Sequence, residues 1–141
     1  AGQLRQEEGI AMQPAELAKR FGANGSDDFV LGAFTDDGSP AGYAGFQRET
    51  RQKNRHKGTR VGMYVAPEFR GRGLGQTLLR ALIEEVRKLH GMEKLNLSVT
   101  HSNAGARGLY LRAGFVPFGA EQNAIKVGGI SYAKEYMSLM L

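Results

Sequence analysis

The sequence predicts a single α/β (α+β) domain with a central mixed sheet and flanking helices. Strand-like segments alternate with segments whose apolar residues recur at helical spacing. A strand, a long amphipathic helix and a further strand follow one another between residues 61 and 100. Two strands joined through a helix pair in parallel, whereas a tight turn joins antiparallel strands. The sheet should therefore contain a parallel pair beside antiparallel neighbours, in one domain of 141 residues.

The first third of the chain predicts a helix and a hairpin. Residues 1–12 show no clear period, whereas 14–22 predict a short helix with proline in its first turn and glycine at its end. Residues 29–35 form an apolar strand, followed by the turn sequence Asp-Asp-Gly. Residues 41–47 form the return strand, so these two strands make an antiparallel hairpin.

A basic connection, residues 48–60, follows the hairpin. It carries six Lys or Arg residues and one His, and its single acid is Glu49. We interpret it as a solvated connection between two strands, with a binding patch as the alternative.

The next unit is strand, helix, strand. Residues 61–65 predict a strand, which Pro67 cannot extend. Residues 95–100 alternate apolar and polar side chains, as a half-buried strand does. Between them lies a helix that ends at Gly91 as its C′ residue. Its apolar residues at helical spacing are Leu74, Leu78, Leu79, Leu82, Ile83, Val86 and Leu89.

The last third predicts a helix and two strands. Asn103, or Ser102 before it, can cap a helix that stops at Gly114. Residues 115–118 predict a short strand, an irregular stretch follows, and 136–141 predict a terminal strand.

Composition excludes several classes of function. The chain has no cysteine, so disulfides, thiolate metal sites and thiol nucleophiles are excluded. Its three histidines lack metal-ligand spacing, and we expect no metal site. No apolar run approaches the roughly 18 residues that span a bilayer, so we expect a cytoplasmic protein without membrane contacts. The net charge of +5 fits an anionic ligand.

A glycine-rich junction joins the strand at 61–65 to the long helix. Residues 70–76 read Arg-Gly-Arg-Gly-Leu-Gly-Gln. Glycines allow backbone N–H groups to close around phosphate oxygens at a helix N-terminus, and arginines add charged donors. The spacing fits neither the dinucleotide pattern nor the Walker pattern. What remains is Arg-x-x-Gly-x-Gly, for which a plain surface turn is the alternative.

A second pattern lies about 30 residues further on. It consists of Asn103, Ala106, Leu109 and Tyr110, followed by Gly114-Phe115. Taken alone, Asn103 is an ordinary helix cap and Tyr110 an ordinary core aromatic.

Together the two patterns resemble the GCN5-related N-acetyltransferase (GNAT) superfamily. Its motif Arg/Gln-x-x-Gly-x-Gly/Ala matches Arg70, Gly73 and Gly75. Its later motif Asn-x-x-Ala-x-x-Leu-Tyr-x-x-x-Gly-Phe matches the second pattern. The segment from 53 to 65 is similar to a group of bacterial members to which we can attach no substrate.

The resemblance implies the GNAT fold and an acetyl-CoA site. The sheet would be mostly antiparallel, with about six strands, and the parallel pair would splay to form the acetyl-CoA cleft. Backbone groups of Met63 and Val65 would pair with the pantetheine arm, and the pyrophosphate would lie on N–H groups of the glycine-rich junction. The acetyl-CoA-binding residues so implied are Met63, Tyr64, Val65, Arg70, Gly71, Arg72, Gly73, Leu74, Gly75, Gln76, Asn103 and Tyr110.

The resemblance also implies direct attack of an amine on the thioester. Tyr110 is the candidate general acid for the CoA sulfur, because a tyrosine hydroxyl is protonated at neutral pH. A backbone N–H near Val65 would stabilise the developing oxyanion. The base stays open among Glu49, His101 and a chain of waters.

The N-terminal region departs from the family pattern. The family begins with a strand and helix before the short helix near Pro14, and few residues precede Pro14 here. We expect this opening unit to be short or missing from the single domain 1–141.

We therefore expect an acetyl-CoA-dependent N-acetyltransferase acting on a small amine or a protein amine. One alternative is a CoA-binding regulatory module without turnover. Another is a nucleic-acid binder that uses residues 48–60, although that segment lacks aromatics for base stacking. The oligomeric state is open between a monomer and a homodimer.

Overall fold

One sheet of eight strands runs through the part of the chain that the structure describes. The structure is a computed structural model and describes residues 4–6, 10–14 and 27–141, the first two ranges by their backbone only. The strands are β1 Leu4–Gln6, β2 Ile10–Pro14, β3 Phe29–Thr35, β4 Pro40–Arg48, β5 Lys57–Val65, β6 Lys94–Thr100, β7 Val116–Val127 and β8 Ile130–Met140. The helices in these ranges are α1 Leu74–Arg87 and α2 Ala104–Arg112, with single 3₁₀ turns at Gln52–Asn54 and Pro67–Phe69.

The strand order is β1-β2-β3-β4-β5-β6-β8-β7. β5 and β6 are parallel, and every other neighbouring pair is antiparallel. This confirms the predicted mixed, mostly antiparallel sheet with a parallel pair joined through a helix. All six predicted strands are present, and β1 and β2 are additional.

The two additional strands lie where the sequence shows no alternation. β2 pairs with β3 from Ile10 opposite Thr35 to Pro14 opposite Leu31. The helix predicted for 14–22 therefore cannot begin at Pro14, because Pro14 is the last residue of β2. The rest of that predicted helix lies outside the described residues.

Two boundaries near the glycine-rich junction also differ from the prediction. β5 begins at Lys57, four residues before Val61, because Lys57 to Thr59 pair with β6. α1 ends at Arg87 rather than continuing to Leu89, and the chain then turns through Gly91 at a φ of 79°.

The last two strands form a hairpin much longer than predicted. β7 and β8 together cover the stretch that the sequence pattern marked as irregular, and they are joined by Gly128 and Gly129, both at positive φ. The register shifts twice along β7, and Asn123 in the second shift has a φ of 54°. β7 is mostly exposed, so its side chains carry no alternating pattern that could reveal it.

The hydrophobic core lies between the sheet and α1. Leu78, Leu82 and Val86 on one face of α1 are fully buried, together with Phe46 of β4 and Leu95 of β6. This packing fixes the N-terminus of α1 beside the C-terminal end of β5. No helix in the described ranges has the length and apolar character needed to cross a membrane.

Candidate functional site

The two parallel strands separate after three paired residues. Lys57, Gly58 and Thr59 lie opposite Lys94, Leu95 and Asn96, and the pairing ends there. β5 also has a register shift against β4 between Gly45 and Phe46, which leaves Val61 without an opposite residue. Such bulges bend a strand and increase its twist. We call the resulting gap the split: its closed end is at Thr59, and its open end is at Val65.

The β5 edge that faces the split offers backbone hydrogen-bonding groups. The Ala66 N–H donates to the Ala41 oxygen at 2.8 Å. Because antiparallel hydrogen bonds alternate along a strand, Tyr64 bonds to β4, whereas the N–H and C=O groups of Met63 and Val65 point toward the split. This edge is the kind of surface that an amide-containing chain can extend as a further strand.

The glycine-rich junction leaves the start of α1 open. Gly71 and Gly73 have φ angles of 75° and 80°, and a Cβ added to either would meet nothing within 4 Å. The N-cap residue is Gly73, which has no side chain that could accept a hydrogen bond from the first turn of the helix. The first helical bond runs from the Thr77 N–H to the Gly73 oxygen at 3.1 Å. The preceding N–H groups of α1 have no partner within the helix and are available to an anion.

Gly75 brings the two sequence motifs together. A Cβ at this position would lie 3.7 Å from Cδ2 of Leu109 in α2 and 3.7 Å from Cε of Met63 in β5. Both distances are ordinary van der Waals contacts, so the first turn of α1 lies directly against α2 and β5 at this position. The motif residues that were about 30 positions apart in sequence meet at the open end of the split.

The two arginines of the junction contact nearby backbone and aromatic groups. Nε of Arg70 donates to the Val65 oxygen at 2.9 Å, and its guanidinium lies 5.8 Å from the ring centroid of Tyr64. Nη1 of Arg72 donates to the Glu68 oxygen at 3.3 Å. The Tyr64 ring packs beside Tyr43 and is 43% exposed. Because side chains alternate along a strand, Tyr64 faces away from α1, and only its backbone borders the split.

The second motif forms α2 as predicted. Asn103 caps the helix, since its Oδ1 accepts the Ala106 N–H at 3.2 Å. This leaves the side-chain amide nitrogen as the Asn103 donor that could contact a ligand. Tyr110 is 5% exposed and packs edge-on against Phe115, with centroids 6.1 Å apart.

An ion pair fixes α2 to the sheet. Nε of Arg107 lies 2.7 Å from Oε1 of Glu135 in β8. The hydrogen bond and the negative charge of Glu135 both raise the pKa of Arg107.

Arg60 is a site residue that the sequence patterns did not identify. Its Nη2 donates to the Ser98 oxygen of β6 at 3.0 Å, and its Cζ lies 5.2 Å from the centroid of the Tyr110 ring. Its Nε is buried and has no hydrogen-bond partner among the described residues. The pattern placed Arg60 in the basic connection. The β-branched Thr59, two residues before Val61, was the signal that the strand extends further toward the N-terminus.

The two base candidates lie at opposite ends of the split. Glu49 is exposed, and its N–H donates to the Lys57 oxygen at 3.1 Å, beyond the closed end. His101 is exposed and directly follows β6, and its N–H donates to the Ala133 oxygen at 2.8 Å. No group of three or more His, Asp or Glu side chains within the described ranges could hold a metal ion.

The basic connection contributes to the fold itself. Arg48 is 8% exposed at its side chain, and its Nη1 lies 2.7 Å from Oδ2 of Asp27. The same guanidinium donates to the backbone oxygens of Arg55 and His90, at 2.6 and 2.8 Å. Nη2 of Arg55 lies 3.5 Å from the same Asp27 oxygen. With Arg60, at least three of the six basic residues therefore make contacts within the chain.

Several proteins of known name are similar to this chain in sequence. Over 107 residues the chain is 35% identical to the L-methionine sulfoximine/L-methionine sulfone acetyltransferase of Pseudomonas paraeruginosa, covering 72% of this chain and 61% of the relative. Over 97 residues it is 33% identical to the ribosomal protein bS18 alanine N-acetyltransferase of Escherichia coli K12, covering 69% and 62%. The chain thus spans less than two thirds of the length of these curated relatives.

A solved structure and a family model agree with these relatives. The yncA protein of Salmonella typhimurium, solved with its cofactor acetyl-CoA, has a TM-score of 0.72 and 26% identity to this chain. That similarity covers 80% of this chain and 64% of the Salmonella chain. The model of the acetyltransferase (GNAT) family matches residues 3–115. The chain therefore belongs to the acetyltransferase (GNAT) family.

Proposed function

We propose that this protein is an acetyl-CoA-dependent N-acetyltransferase that transfers acetyl to a primary amine. The observation that carries the proposal is the split between β5 and β6, whose open end lies beside the uncapped start of α1. A ligand with phosphates at one end and an amide-containing arm fits both features. The phosphates would meet the N–H groups of the junction, and the arm would extend the β5 edge.

The proposed binding residues divide by the group they contribute. Met63 and Val65 would offer backbone groups to the pantetheine amides, whereas Tyr64, whose own N–H and C=O groups bond to β4, would only hold these two residues in position. The glycines at 71 and 73 leave open space where the pyrophosphate would lie. Leu74, Gly75 and Gln76 would contribute N–H groups, Arg70 and Arg72 would contribute charge, and the Asn103 amide would donate a hydrogen bond.

The proposed chemistry is a direct transfer. Acetyl-CoA supplies the activated acetyl thioester. The amine nitrogen forms a bond to the carbonyl carbon, and the bond between that carbon and sulfur breaks. Tyr110 would donate its hydroxyl proton to the leaving sulfur, and an N–H on the β5 edge would bind the oxygen that gains negative charge. The amine must also lose a proton, to His101, to Glu49 or to a chain of waters.

The acceptor is a small amine or a protein amine. The two named relatives differ on this point, since one is named for amino-acid derivatives and the other for the alanine of a ribosomal protein. Their names therefore indicate which acceptors to test first, but they do not decide between a small amine and a protein amine. Both relatives are bacterial, which supports the expectation of a bacterial protein. A cytoplasmic location stays a prediction from the sequence.

The decisive experiment measures release of CoA thiol from acetyl-CoA over a panel of amines. The panel contains methionine sulfoximine and sulfone, a peptide with N-terminal alanine, polyamines, aminoglycosides and free amino acids. We expect amine-dependent CoA release with at least one class. Calorimetry with acetyl-CoA alone is run in parallel. Binding without release for any acceptor would favour the CoA-binding module, and absence of binding would contradict both functions.

A further inference from the structure

Arg60 fills the closed end of the split. It is the first residue of β5 after the last pair with β6, Thr59 opposite Asn96. From there its side chain reaches across to β6, where Nη2 donates to the Ser98 oxygen at 3.0 Å. The Tyr110 ring lies against the guanidinium, with its centroid 5.2 Å from Cζ. The end of the split is thus closed by one long side chain held between a strand and an aromatic ring.

An arginine at this position is not favourable for the stability of the fold alone. The Nε of Arg60 is buried and has no hydrogen-bond partner among the described residues. A buried donor without a partner costs free energy, whereas an apolar side chain of similar length would fill the same space without that cost. Stability alone therefore explains this long, charged side chain poorly, and its length is the property that bears on a ligand in the split.

The orientation of that ligand follows from the two ends of the split. In the proposed complex, phosphates at the start of α1 would hold one end of acetyl-CoA at the open end, near Val65. Val65 and Arg60 are five residues apart, about 17 Å along an extended strand. An arm that follows the β5 edge must then direct its acyl end toward Arg60.

We propose that Arg60 determines the length of the acyl group that the site accepts, because its side chain forms the floor on which the acyl end rests. The proposal rests on the proposed function, since it assumes that an acyl-CoA lies in the split. With Arg60 in place the floor leaves room for acetyl and excludes longer chains. Shortening this side chain deepens the split from its closed end.

The test compares three side chains at position 60. Arg60→Ala removes the floor, whereas Arg60→Met removes the charge but keeps an unbranched chain of similar length. Arg51→Ala is the control, since Arg51 is an exposed residue of the basic connection. For each protein, calorimetry gives the Kd for acetyl-, propionyl- and butyryl-CoA without any acceptor. Where an acceptor is known, kcat/KM is measured with the same three thioesters, and the thermal midpoint is recorded for every variant.

We expect Arg60→Ala to shift the ratio of butyryl-CoA to acetyl-CoA affinity toward butyryl-CoA by about 10-fold or more, the scale at which a pocket discriminates by methylene groups. Arg60→Met and Arg51→Ala should keep the wild-type ratio. A lower thermal midpoint alone would not change this ratio, so a merely structural role predicts no shift. If Arg60→Ala keeps the wild-type ratio, or if Arg60→Met shifts it equally, the floor assignment is wrong while the proposed function stands. If wild type binds no acyl-CoA, the proposed function fails and this inference fails with it.

Discussion

At the scale of single residues, two glycines with the same backbone conformation allow the cost of backbone strain to be distinguished from an effect on ligand binding. Gly73 has a φ of 80° and Gly38 in the β3–β4 turn a φ of 87°, and an added Cβ at either position would meet nothing within 4 Å. A valine should cost about 1–2 kcal/mol of left-handed strain at each position. Only at Gly73 would the side chain also enter the space proposed for the pyrophosphate.

We therefore predict that Gly73→Val abolishes acetyl-CoA binding, whereas Gly38→Val loses stability but binds normally. Calorimetry with acetyl-CoA gives the affinity, and urea unfolding gives the free energy of unfolding of both variants. Equal affinities in Gly73→Val and wild type would show that the junction does not hold the pyrophosphate. Equal losses of affinity in the two variants would show that strain alone accounts for the effect.

Substitution of Tyr110 tests the proposed proton transfer to the leaving sulfur. Its ring is 5% exposed and lies between Arg60 and Phe115, so Tyr110→Phe should keep the packing and remove only the hydroxyl. We predict unchanged acetyl-CoA affinity and a fall in kcat of about 10²- to 10⁴-fold, the contribution typical of a positioned proton donor. Tyr136→Phe is the matched control, because the Tyr136 hydroxyl bonds to Glu121 in the β7–β8 hairpin. An unchanged kcat at saturating amine would remove Tyr110 from the acid role.

The residues differ in how readily the sequence reveals them. The Asn103 cap was predictable, because a side-chain cap is a local requirement with a short sequence pattern. Arg60 was not, because its role depends on where β5 stops pairing with β6 and on a contact with Tyr110, fifty positions away in the chain. No local pattern encodes such a contact.

At the scale of elements, β5 decides where the split closes. Gly58 lies in the paired part of β5, and a Cβ there would collide with the Phe46 ring and lie 2.7 Å from the Gln47 backbone oxygen. Gly62 lies in the same strand, in the part that borders the split, where a Cβ would make an ordinary contact of 3.6 Å with Tyr43. Only glycine therefore lets β4 and β5 approach closely at the closed end.

We predict that Gly58→Ala destabilises the protein by about 1–3 kcal/mol, the cost of overpacking a core. Gly62→Ala should change the free energy of unfolding by much less, because its added methyl group finds room. Both values come from urea unfolding followed by circular dichroism. Similar losses of unfolding free energy for the two variants would mean that β5 accepts a side chain at neither position. The close approach at Gly58 would then not explain the loss there.

The elements also show what patterning could and could not predict. α1 was predicted well because its apolar face packs on the sheet with helical periodicity, and β6 because its two faces differ in burial. β7 was underestimated because it pairs only with β8 and lies mostly in solvent, where side chains need no alternation. Its outer edge carries Pro117 and two register shifts, features that discourage pairing with another chain.

At the scale of the whole molecule, Arg48 joins segments that are distant in sequence. Its side chain binds Asp27 before β3, the backbone oxygen of Arg55 before β5 and the backbone oxygen of His90 after α1. These contacts lie at the end of the molecule where β5 and β6 are paired. A charge count assigns Arg48 to a basic patch, but in the fold it is a nearly buried connection between three segments.

Arg48→Met should therefore destabilise the protein by about 3 kcal/mol, the low end of the cost of removing one partner of a buried ion pair, because Asp27 stays partly exposed. Arg55→Met is the matched control. It removes an arginine that contacts the same Asp27 carboxylate at 3.5 Å but is 46% exposed, and such surface pairs contribute about 1 kcal/mol or less. Urea unfolding of the two variants and of the double variant gives both values and their coupling. A loss below 1 kcal/mol for Arg48→Met would mean that Arg48 behaves as a solvated residue of the connection, as the sequence predicted. Its charge would then be available to a ligand.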